Sequence, residues 1–493
     1  MKQRISLNKF LLLSAVAAFV AMPSCKKSFL DVPPQGQQPS QQFWKSETDA
    51  TKAVNAMYGN LREWKQVAFA PIAIESLGSD DTEKGSDPSD ATYMNKFDNF
   101  TATSTEGQIL DFWTGQYQEV NLANQVIDNV PAIDMDASLK ARYVAEAKFL
   151  RAYAYFRLVR AFGDVPLRLH VPKDATEYNI PRTAKATVYA AIETDLNDAA
   201  AVLPPTYAAK DIGHATKGAA LALHAKVAMY QKKWSDVLNY TNQVISSGTY
   251  SLFPNYEQLF RIANENNQES IFEIQAKYVP GNCDQSNSQY SQVQGVRSVP
   301  RGGWGFNVPT TALANSFEAN DPRKDATIIF AGETTPEGDA IPSTVPNPMY
   351  NQKSYVPFTD ATNQNCNEGS EQNIRVIRYA EVLLMNAEAA NETGNQTLAK
   401  QSLNAVRARA RGGNATILPD ITTTDQATLR TAIWEERHHE LAMEFDRYFD
   451  VIRQGRAQQI FGPKGWTEKY TVWPIPQNEI DLSAGTLVQT PGF

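Results

Sequence analysis

The stretch KGAALALHAKVAMYQKKWSDVLNYTNQVISS, residues 217–247, decides the fold class of this chain. Alanine and larger apolar side chains recur there at the spacing of an amphipathic helix, first up to Gln231 and again from Trp234. Lys232-Lys233 supplies a turn between the two runs, and Gly248 ends the second one. Apolar residues three and four positions apart share one face of a helix. The stretch therefore predicts two antiparallel helices that cross closely at small alanine side chains.

A similar helical hairpin occupies residues 374–411, with a turn at Thr393-Gly394-Asn395. Two hairpins of about 35 residues with alanine at the crossing face are typical of tetratricopeptide-like repeats, although the strict repeat consensus is absent. Residues 139–162 (LKARYVAEAKFLRAYAYFRLVRAF) form the clearest single helix, which Gly163 and Pro166 end. The periodicity predicts further helices at about 109–130, 185–203 and 426–454.

The middle of the chain, residues 250–372, has a different composition. It contains one convincing strand, 270–275 (SIFEIQ), and is otherwise rich in glycine, proline, asparagine, glutamine and aromatic residues. Long irregular stretches within a compact domain are usually functional. We therefore predict a mainly α fold, in which a tetratricopeptide-like helical-hairpin scaffold carries a long irregular, loop-rich insertion and little β-structure. A single domain, 44–493, would comprise the scaffold at about 44–249 and 373–455, the ligand-binding insertion at about 250–372 and a C-terminal segment, 456–493.

The first 25 residues have the order of a secretory signal. Three basic residues precede an uncharged, mostly apolar run at 10–22, which is shorter than the roughly 20 residues that a membrane span needs. Met22-Pro23-Ser24-Cys25 is similar to the lipobox of bacterial lipoproteins. The alternative is an ordinary secreted protein with an incidental cysteine. We predict a signal peptide at 1–24, a lipid anchor on Cys25 and a flexible tether over 25–43.

The formal net charge of the chain is −8. An acidic surface repels phosphate backbones, which argues against nucleic acid as a partner and leaves the lipid as the expected attachment to a membrane. Two more cysteines, Cys283 and Cys366, lie in loop-like stretches rich in asparagine and glutamine. They could pair in an oxidising compartment, and the sequence leaves this disulfide open.

Motifs of several enzyme classes are absent from the sequence, which has no GxSxG elbow, Walker A loop or GxGxxG turn. His438 and His439 are adjacent, so on a helix they point about 100° apart, whereas the zincin motif needs two histidines four positions apart. The acids at 81–90 lack the spacing of a calcium loop. We therefore predict no metal site and no cofactor. Asp80 and Asp81 remain candidates for the paired carboxylates of a glycoside hydrolase, because such a pair is defined by its separation in space.

Aromatic side chains are numerous in the loop-like parts of the sequence. They occur in the insertion, and Trp64 and Tyr93 lie before and within an acidic stretch at 78–98. Flat rings stack on the apolar faces of sugars, while amides and charged groups bond to hydroxyls. The alternative is that some of these rings only anchor the insertion to the scaffold. The predicted ligand-binding residues are Trp304, Tyr290, Tyr278, Arg301, Trp64, Asp80, Asp81 and Tyr93.

Segments along nearly the whole chain resemble the SusD/RagB family, the surface lipoproteins that accompany TonB-dependent transporters in Bacteroidetes. Each segment is weakly specific alone, but their order is highly specific. They are the lipobox with Phe29-Leu30-Asp31, AEAKFLRAYAYFRLVRAFGDVPL (145–167), KGAALALHAKVAMYQKKW (217–234), ESIFEIQ (269–275), NIRVIRYAEVLLMNAEAAN (373–391), EERHHELAMEFDRYFDVIRQG (435–455), WPIPQNEIDL (473–482) and QTPGF (489–493).

The resemblance implies a fold of tetratricopeptide repeats that packs against a transporter, with much of the ligand site in the insertion. It implies a protein without catalysis, lipid-anchored to the outer membrane and facing outward. Such a protein captures an oligosaccharide or similar nutrient and acts as a lid over a SusC-like, TonB-dependent transporter. The charged residues at 435–455 would then form ion pairs between packed helices. The resemblance leaves open whether the ligand is a glycan, a peptide or another nutrient, and which transporter is the partner.

Overall fold

The computed structural model describes residues 43–279, 288–299, 302–359 and 369–493. Within these ranges, nine helices have 13 residues or more and the strands are short, which confirms the predicted mainly α fold class. The nine helices are α1 (Glu47–Asn60), α2 (Gly107–Asn129), α3 (Ala137–Phe162), α4 (Lys185–Val202), α5 (Lys217–Tyr230), α6 (Trp234–Ser246), α7 (Tyr379–Glu392), α8 (Gln396–Ala410) and α9 (Gln426–Leu441).

The long helices from α2 to α8 pack in the order of the chain, each against the next, and α9 covers α7. The stretch at 217–247 folds as predicted, with α5 and α6 as its two arms. Every residue of α5 from Gly218 to Met229 is buried, because helices lie on several of its sides and its alanines allow close approach. Successive contacts of this kind are the architecture of a helical repeat scaffold.

The insertion leaves the scaffold after α6 and returns at α7, and these two helices nevertheless touch each other. The Nδ2 of Asn386 on α7 donates a hydrogen bond to the Oγ1 of Thr241 on α6, at 2.9 Å. The repeat scaffold therefore continues directly across the point where the insertion departs.

Six short strands form three antiparallel pairs within the described residues. The β2–β6 pair closes the base of the insertion, and the β1–β3 pair joins the insertion to the acidic stretch after Gly78. Residues 374–378, which the sequence pattern assigned to the second hairpin, are strand β6 because they complete the pair with β2. The strands are β1 (Thr82–Gly85), β2 (Ser270–Ile274), β3 (Phe306–Pro309), β4 (Ile328–Phe330), β5 (Met349–Asn351) and β6 (Ile374–Arg378).

The helix predicted at 426–454 is interrupted, which is a correction to the sequence pattern. α9 ends at Leu441, Met443 and Phe445 adopt positive φ angles of 66° and 67°, and a new helix begins at Arg447. The break turns the Glu444 carboxylate away from the helix axis, toward cations of the insertion and of β6. The shorter helices are Trp64–Val67, Phe69–Pro71, Ile72–Ser76, Thr92–Met94, Asn95–Asp98, Val130–Ala132, Ala175–Glu177, Ala209–Asp211, Glu257–Phe260, Ile262–Asn264, Tyr290–Gln294, Thr311–Ser316, Arg323–Thr327, Arg447–Arg453, Ala457–Phe461, Gly462–Lys464, Glu468–Thr471 and Gln477–Leu482.

Among the described residues, no helix has both the length and the apolar composition of a membrane span. The predicted signal peptide, the lipid anchor Cys25, the tether up to Gln42 and both Cys283 and Cys366 lie outside the described residues.

Candidate functional site

Two tryptophans far apart in the sequence, Trp64 and Trp304, meet at the surface between the scaffold and the insertion. Their ring centroids lie 5.9 Å apart at an interplanar angle of 50°, and both side chains are half-buried. Phe69 touches both rings and packs its own ring 4.7 Å from that of the buried Phe306. Both tryptophan rings therefore pack against Phe69, and neither side chain is fully buried.

The backbone around Trp304 is held by close crossings that require glycine. A Cβ on Gly303 would lie 2.2 Å from the carbonyl oxygen of Gln292, and the Trp304 amide donates to that same oxygen at 2.7 Å. On the other side, Gly85 has a φ of +69°, and a Cβ there would lie 2.4 Å from the Gly305 carbonyl oxygen. These close contacts fix the backbone that carries the Trp304 side chain.

Arg297 links the Trp304 loop to the acidic stretch. Its Nη1 donates to the Trp304 carbonyl oxygen at 3.2 Å, to the Ser86 Oγ at 2.8 Å and to the Asp90 carboxylate at 2.9 Å. The Arg297 side chain is 32% exposed and that of Asp90 is 40% exposed, so both can reach a ligand in solvent.

Tyr93 follows Asp90 in the acidic stretch and is 38% exposed. Burial, together with the charges of Asp90 and Asp111, raises the pKa of its hydroxyl. Asp111 on α2 in turn pairs with the Lys65 Nζ at 3.2 Å, next to Trp64. The resulting surface, here named the aromatic face, consists of Trp64, Tyr93 and Trp304 with Lys65, Asp90, Asp111 and Arg297.

The aromatic face combines open ring surface with two cations and two carboxylates, so its formal charge is zero. Such a surface suits an uncharged ligand with apolar ring faces and many hydroxyls, because rings stack and charged groups accept or donate hydrogen bonds. The sequence pointed to the three rings through their loop-like surroundings. It did not single out Lys65, Asp90, Asp111 or Arg297, although Asp90 lies in the acidic stretch between Trp64 and Tyr93 and Arg297 lies shortly before Trp304 in the same loop.

Two of the other aromatic residues predicted to bind ligand lie elsewhere. Tyr290 is 7% exposed and faces an interior cavity of about 70 Å³ beside Phe445, with ring centroids 6.1 Å apart. Tyr278 is half-buried, and its backbone amide donates to the Glu371 carboxylate. Arg301 lies outside the described residues.

Asp80 and Asp81 are engaged in ion pairs away from the aromatic face. Both oxygens of Asp80 accept from Arg447 at 2.8 Å, and the Nε2 of His438 donates to Asp81 at 2.5 Å. Burial would raise the pKa of Asp80, but the hydrogen bonds and charge of Arg447 lower it to about 2. A general acid for glycoside hydrolysis needs a raised pKa instead. This geometry gives the hydrolase alternative no support.

Two clusters of side chains have the spacing of metal ligands. One joins Asp80, Asp81 and His438, and the other joins Glu435, His438 and His439, each with ligand atoms within 4.8 Å. The histidine nitrogen that faces Asp81 carries a proton, since burial would lower the pKa of His438 and the charge of Asp81 overcomes this and raises it to about 9. In the first cluster, the Nε2 of His438 is therefore engaged in a hydrogen bond to Asp81, while Asp80 is paired with Arg447.

The charged residues at 435–455 form ion pairs between helices, as predicted, and most of these pairs are buried; some of their partners lie in the insertion. Glu440 on α9 accepts from Arg378 at 3.0 Å and from Arg323 at 3.3 Å, and it also binds Arg409. Burial would raise the pKa of Glu440, but these three cations lower it to about 2. We name this group the charged core; its members are Glu269, Arg323, Arg378, Arg409, Glu436 and Glu440, all buried.

Comparison with known proteins identifies the family to which this chain belongs. A model described as "SusD family" matches residues 257–493, and one described as "Starch-binding associating with outer membrane" matches residues 28–229. A solved "laminarin binding SusD-like protein" is 31% identical, covers 91% of this chain and 100% of its own, and superposes with a TM-score of 0.79. The chain belongs to the SusD family.

Other SusD-like proteins align over similar lengths. SusD-like protein P2 of Formosa agariphila is 28% identical over 495 residues, which cover 94% of this chain and 96% of that protein. The solved surface glycan-binding protein A from Bacteroides thetaiotaomicron in complex with laminarihexaose is 27% identical, with a TM-score of 0.77 over 90% of this chain and 100% of its own. These relatives confirm the family resemblance of the sequence and the helical-repeat fold of a SusD-like protein.

Proposed function

We propose that this protein binds an oligosaccharide on the aromatic face. The observation that carries the proposal is the half-exposed pair of Trp64 and Trp304, which lies beside two cations and two carboxylates. Stacked rings contribute modestly, about 0.5–1.5 kcal/mol each beyond the area they cover, so several contacts together give a specific but reversible site. Reversible binding suits a protein that captures a nutrient and passes it on.

A neutral glucan is the ligand class we propose to test first. The two cations and two carboxylates of the aromatic face cancel in charge, which disfavours a strongly acidic or basic glycan. Laminarin and laminarihexaose stand in the names of two SusD-like proteins that superpose on this chain over nine-tenths of its length. A β-linked glucan is therefore a reasonable first probe, with a starch fragment as the comparison.

We further propose that the protein is a lipoprotein of the outer membrane, facing outward, and that it delivers its glycan to a SusC-like, TonB-dependent transporter. The support is the lipobox that ends at Cys25, together with a matching family model whose description refers to the outer membrane. An acyl anchor followed by a tether would let the body swing over a transporter without diffusing away. The scaffold at about 44–249 and 373–455 would then dock, and the insertion at about 250–372 would contribute part of the ligand site.

Calorimetric titration with laminarihexaose and maltohexaose tests the glycan site. We expect the wild-type protein to bind laminarihexaose, and the double variant Trp64→Ala, Trp304→Ala to bind at least tenfold more weakly, which is a loss of about 1.4 kcal/mol or more. Trp234→Ala is the matched control, because Trp234 is also half-buried but begins α6, whose contacts are with α5 and α7. It should keep its affinity within about twofold.

Full affinity in the double tryptophan variant would reject the aromatic face as the site. An assay of reducing ends on the same mixtures separates binding from catalysis. We expect no new reducing ends, and sustained release of them would instead support a glycoside hydrolase.

A further inference from the structure

A second cleft, of about 290 Å³, opens between the loop before α5 and the segment before β2. The loop contributes Tyr207, Ile212 and His214, and Tyr250 follows from the end of α6. The opposite wall consists of the consecutive amide side chains Asn266, Asn267 and Gln268. We name this surface the loop cleft, defined by these seven residues. It shares no residue with the aromatic face, so its occupancy is independent of the function proposed above.

Two rings of the loop cleft, those of Tyr207 and His214, are bonded to one buried carboxylate. Glu146 on α3 accepts from the Nδ1 of His214 at 2.7 Å and from the Tyr207 hydroxyl at 3.3 Å, and it pairs with Arg142 at 3.1 Å. With Nδ1–H directed at Glu146, Nε2 is the ring nitrogen of His214 that remains to accept a hydrogen bond. The single hydrogen of the Tyr207 hydroxyl is shared between Glu146 and the Ala215 carbonyl oxygen, which lies 3.0 Å from the hydroxyl oxygen, so Tyr207 also links two parts of the loop.

Glycines bring the other walls close. A Cβ on Gly218 would lie 2.4 Å from the Tyr250 hydroxyl oxygen, so the Tyr250 ring lies directly on the first turn of α5, and Thr216 binds its hydroxyl at 2.8 Å. Gly213, with a φ of +97°, would place a Cβ 2.3 Å from the side chain of Gln275, just after β2. Two glycines therefore let the side chains of Tyr250 and Gln275 pack directly on the backbone of the loop and of α5.

The charges that face the loop cleft are already matched. Glu146 pairs with Arg142, and Glu273 lies 3.4 Å from Arg375 while it also accepts from the Asn266 amide. No unpaired formal charge is thus offered to a ligand by these two carboxylates. What remains is ring surface, an isoleucine, Ile212, that is 49% exposed at the rim, and the carboxamides. Asn266 already exchanges hydrogen bonds with Gln275, and Asn267 is bonded to the Asn264 carbonyl oxygen and the Glu269 amide, so each of the two keeps one N–H and one lone pair for a ligand.

We propose that the loop cleft is a second saccharide-binding site, which takes one or two uncharged sugar residues. Its volume lies at the lower end of the range of roughly 300–1,000 Å³ for small-molecule sites. Ring faces cover the apolar side of a sugar, while carboxamides and the His214 Nε2 bind its hydroxyls. A second site would let the protein hold a long glycan at two points and raise its overall affinity without a new strong contact.

Hydrogen–deuterium exchange of the full protein tests this proposal with four neutral disaccharides: laminaribiose, maltose, cellobiose and mannobiose. We expect at least one of them to slow exchange at least twofold in segments 205–216 and 266–273. The slowing should persist in the double variant Trp64→Ala, Trp304→Ala, because the two sites share no residue. Glucuronic acid and glucosamine serve as charged comparisons and should have a smaller effect.

Two further variants keep the test decisive. Ile212→Ala with Gln268→Ala removes two exposed side chains and should reduce the protection at least threefold without changing the melting temperature. Tyr207→Ala removes a ring of the cleft and should abolish the protection. The proposal is overturned if none of the four disaccharides protects these segments, if protection disappears in the tryptophan double variant, or if only the charged sugars bind. Unchanged laminarihexaose affinity in the tryptophan double variant, together with disaccharide protection of these two segments, would reject the aromatic face and leave the loop cleft standing.

Discussion

The aromatic face and the charged core both place side chains in environments that are unusual for their type. The aromatic face leaves parts of Trp64, Trp304 and Tyr93 in solvent, whereas the charged core buries glutamates and arginines completely. Large rings are normally inside a protein, and charges are normally outside unless they are paired. Within the charged core, each charge faces an opposite one, whereas the exposed rings of the aromatic face are the site we propose for a ligand.

The two regions also differ in what their contacts do. In the charged core, Arg323 and Arg378 come from the insertion and its return strand, while Glu440 comes from α9. These ion pairs attach the insertion to the helical scaffold. On the aromatic face, the charged pairs are partly exposed and lie beside open ring surface. The charged core therefore holds the insertion on the scaffold, whereas the aromatic face leaves side chains exposed where we propose that a ligand binds.

The largest expected effect comes from breaking the charged core at Glu440. Glu440→Ala leaves Arg323, Arg378 and Arg409 without a shared carboxylate, and we expect the free energy of unfolding to fall by about 3–5 kcal/mol. Urea unfolding measures this loss. Glu435→Ala is the matched control on the same helix, since Glu435 is 38% exposed and pairs with Arg456 near the surface. Its cost should stay below about 1 kcal/mol, and equal losses in the two variants would contradict the distinction between the regions.

A smaller effect is expected at Glu119, a buried carboxyl on α2 that is bonded to an amide and not to a cation. Its Oε2 accepts from the Asn60 Nδ2 at 2.8 Å, and burial raises the pKa of Glu119 to about 8. As the pH rises from 4.5 to 8, the unfolded chain loses this proton while the folded protein keeps it. Stability therefore falls with rising pH in that window.

Glu119→Gln sharpens the contrast with Glu440, because glutamine imitates the protonated carboxyl without titrating. We expect the variant to equal the wild type near pH 4.5 and to be more stable by a few kcal/mol near pH 9, because each unit by which burial raises the pKa corresponds to about 1.4 kcal/mol. Urea unfolding of both proteins at several pH values measures the difference. A difference that does not depend on pH would show that Glu119 is ionised in the folded protein.

The smallest effect on stability is expected on the aromatic face itself. Arg297→Met removes the bonds to the Trp304 carbonyl oxygen and to Asp90, and the pair is half-exposed, so unfolding should change by less than about 1 kcal/mol. The affinity for laminarihexaose should fall about threefold, because the Trp304 loop and one polar contact are loosened. Arg411→Met removes a surface ion pair with Asp420, away from the aromatic face, and serves as the control. A large loss of stability in Arg297→Met would place this residue with the charged core.

The sequence predicted the local parts of the molecule well and the distant contacts poorly. Helical periodicity located α3, α5 and α6 to within a few residues, since that pattern depends on neighbours three and four positions apart. The break after Leu441 was missed, because the backbone turns there so that Glu444 can reach Lys353 and Arg378. The local sequence contains no sign of those partners.

The residues predicted for the candidate site also show this difference between local sequence and distant contacts. Trp64, Tyr93 and Trp304 were selected for their loop-like surroundings. The structure brings the two tryptophan rings together and leaves Tyr93 partly exposed, and their role in binding stays a prediction. Asp80 and Asp81 were selected for their acidic stretch, and the structure pairs them with Arg447 and His438. An acid in a polar sequence looks the same whether it faces solvent or a buried cation, because only the fold brings that cation to it.

By itself, the sequence determined a helical-hairpin scaffold, an irregular insertion and the order of segments that marks the SusD family, because helix spacing and family motifs are written in consecutive residues. The tertiary structure alone decided that Trp64 and Trp304 share a half-exposed surface and that Glu440 lies among three arginines. Exposure and pairing depend on which distant residues come together. They therefore follow from the packing of the insertion on the scaffold.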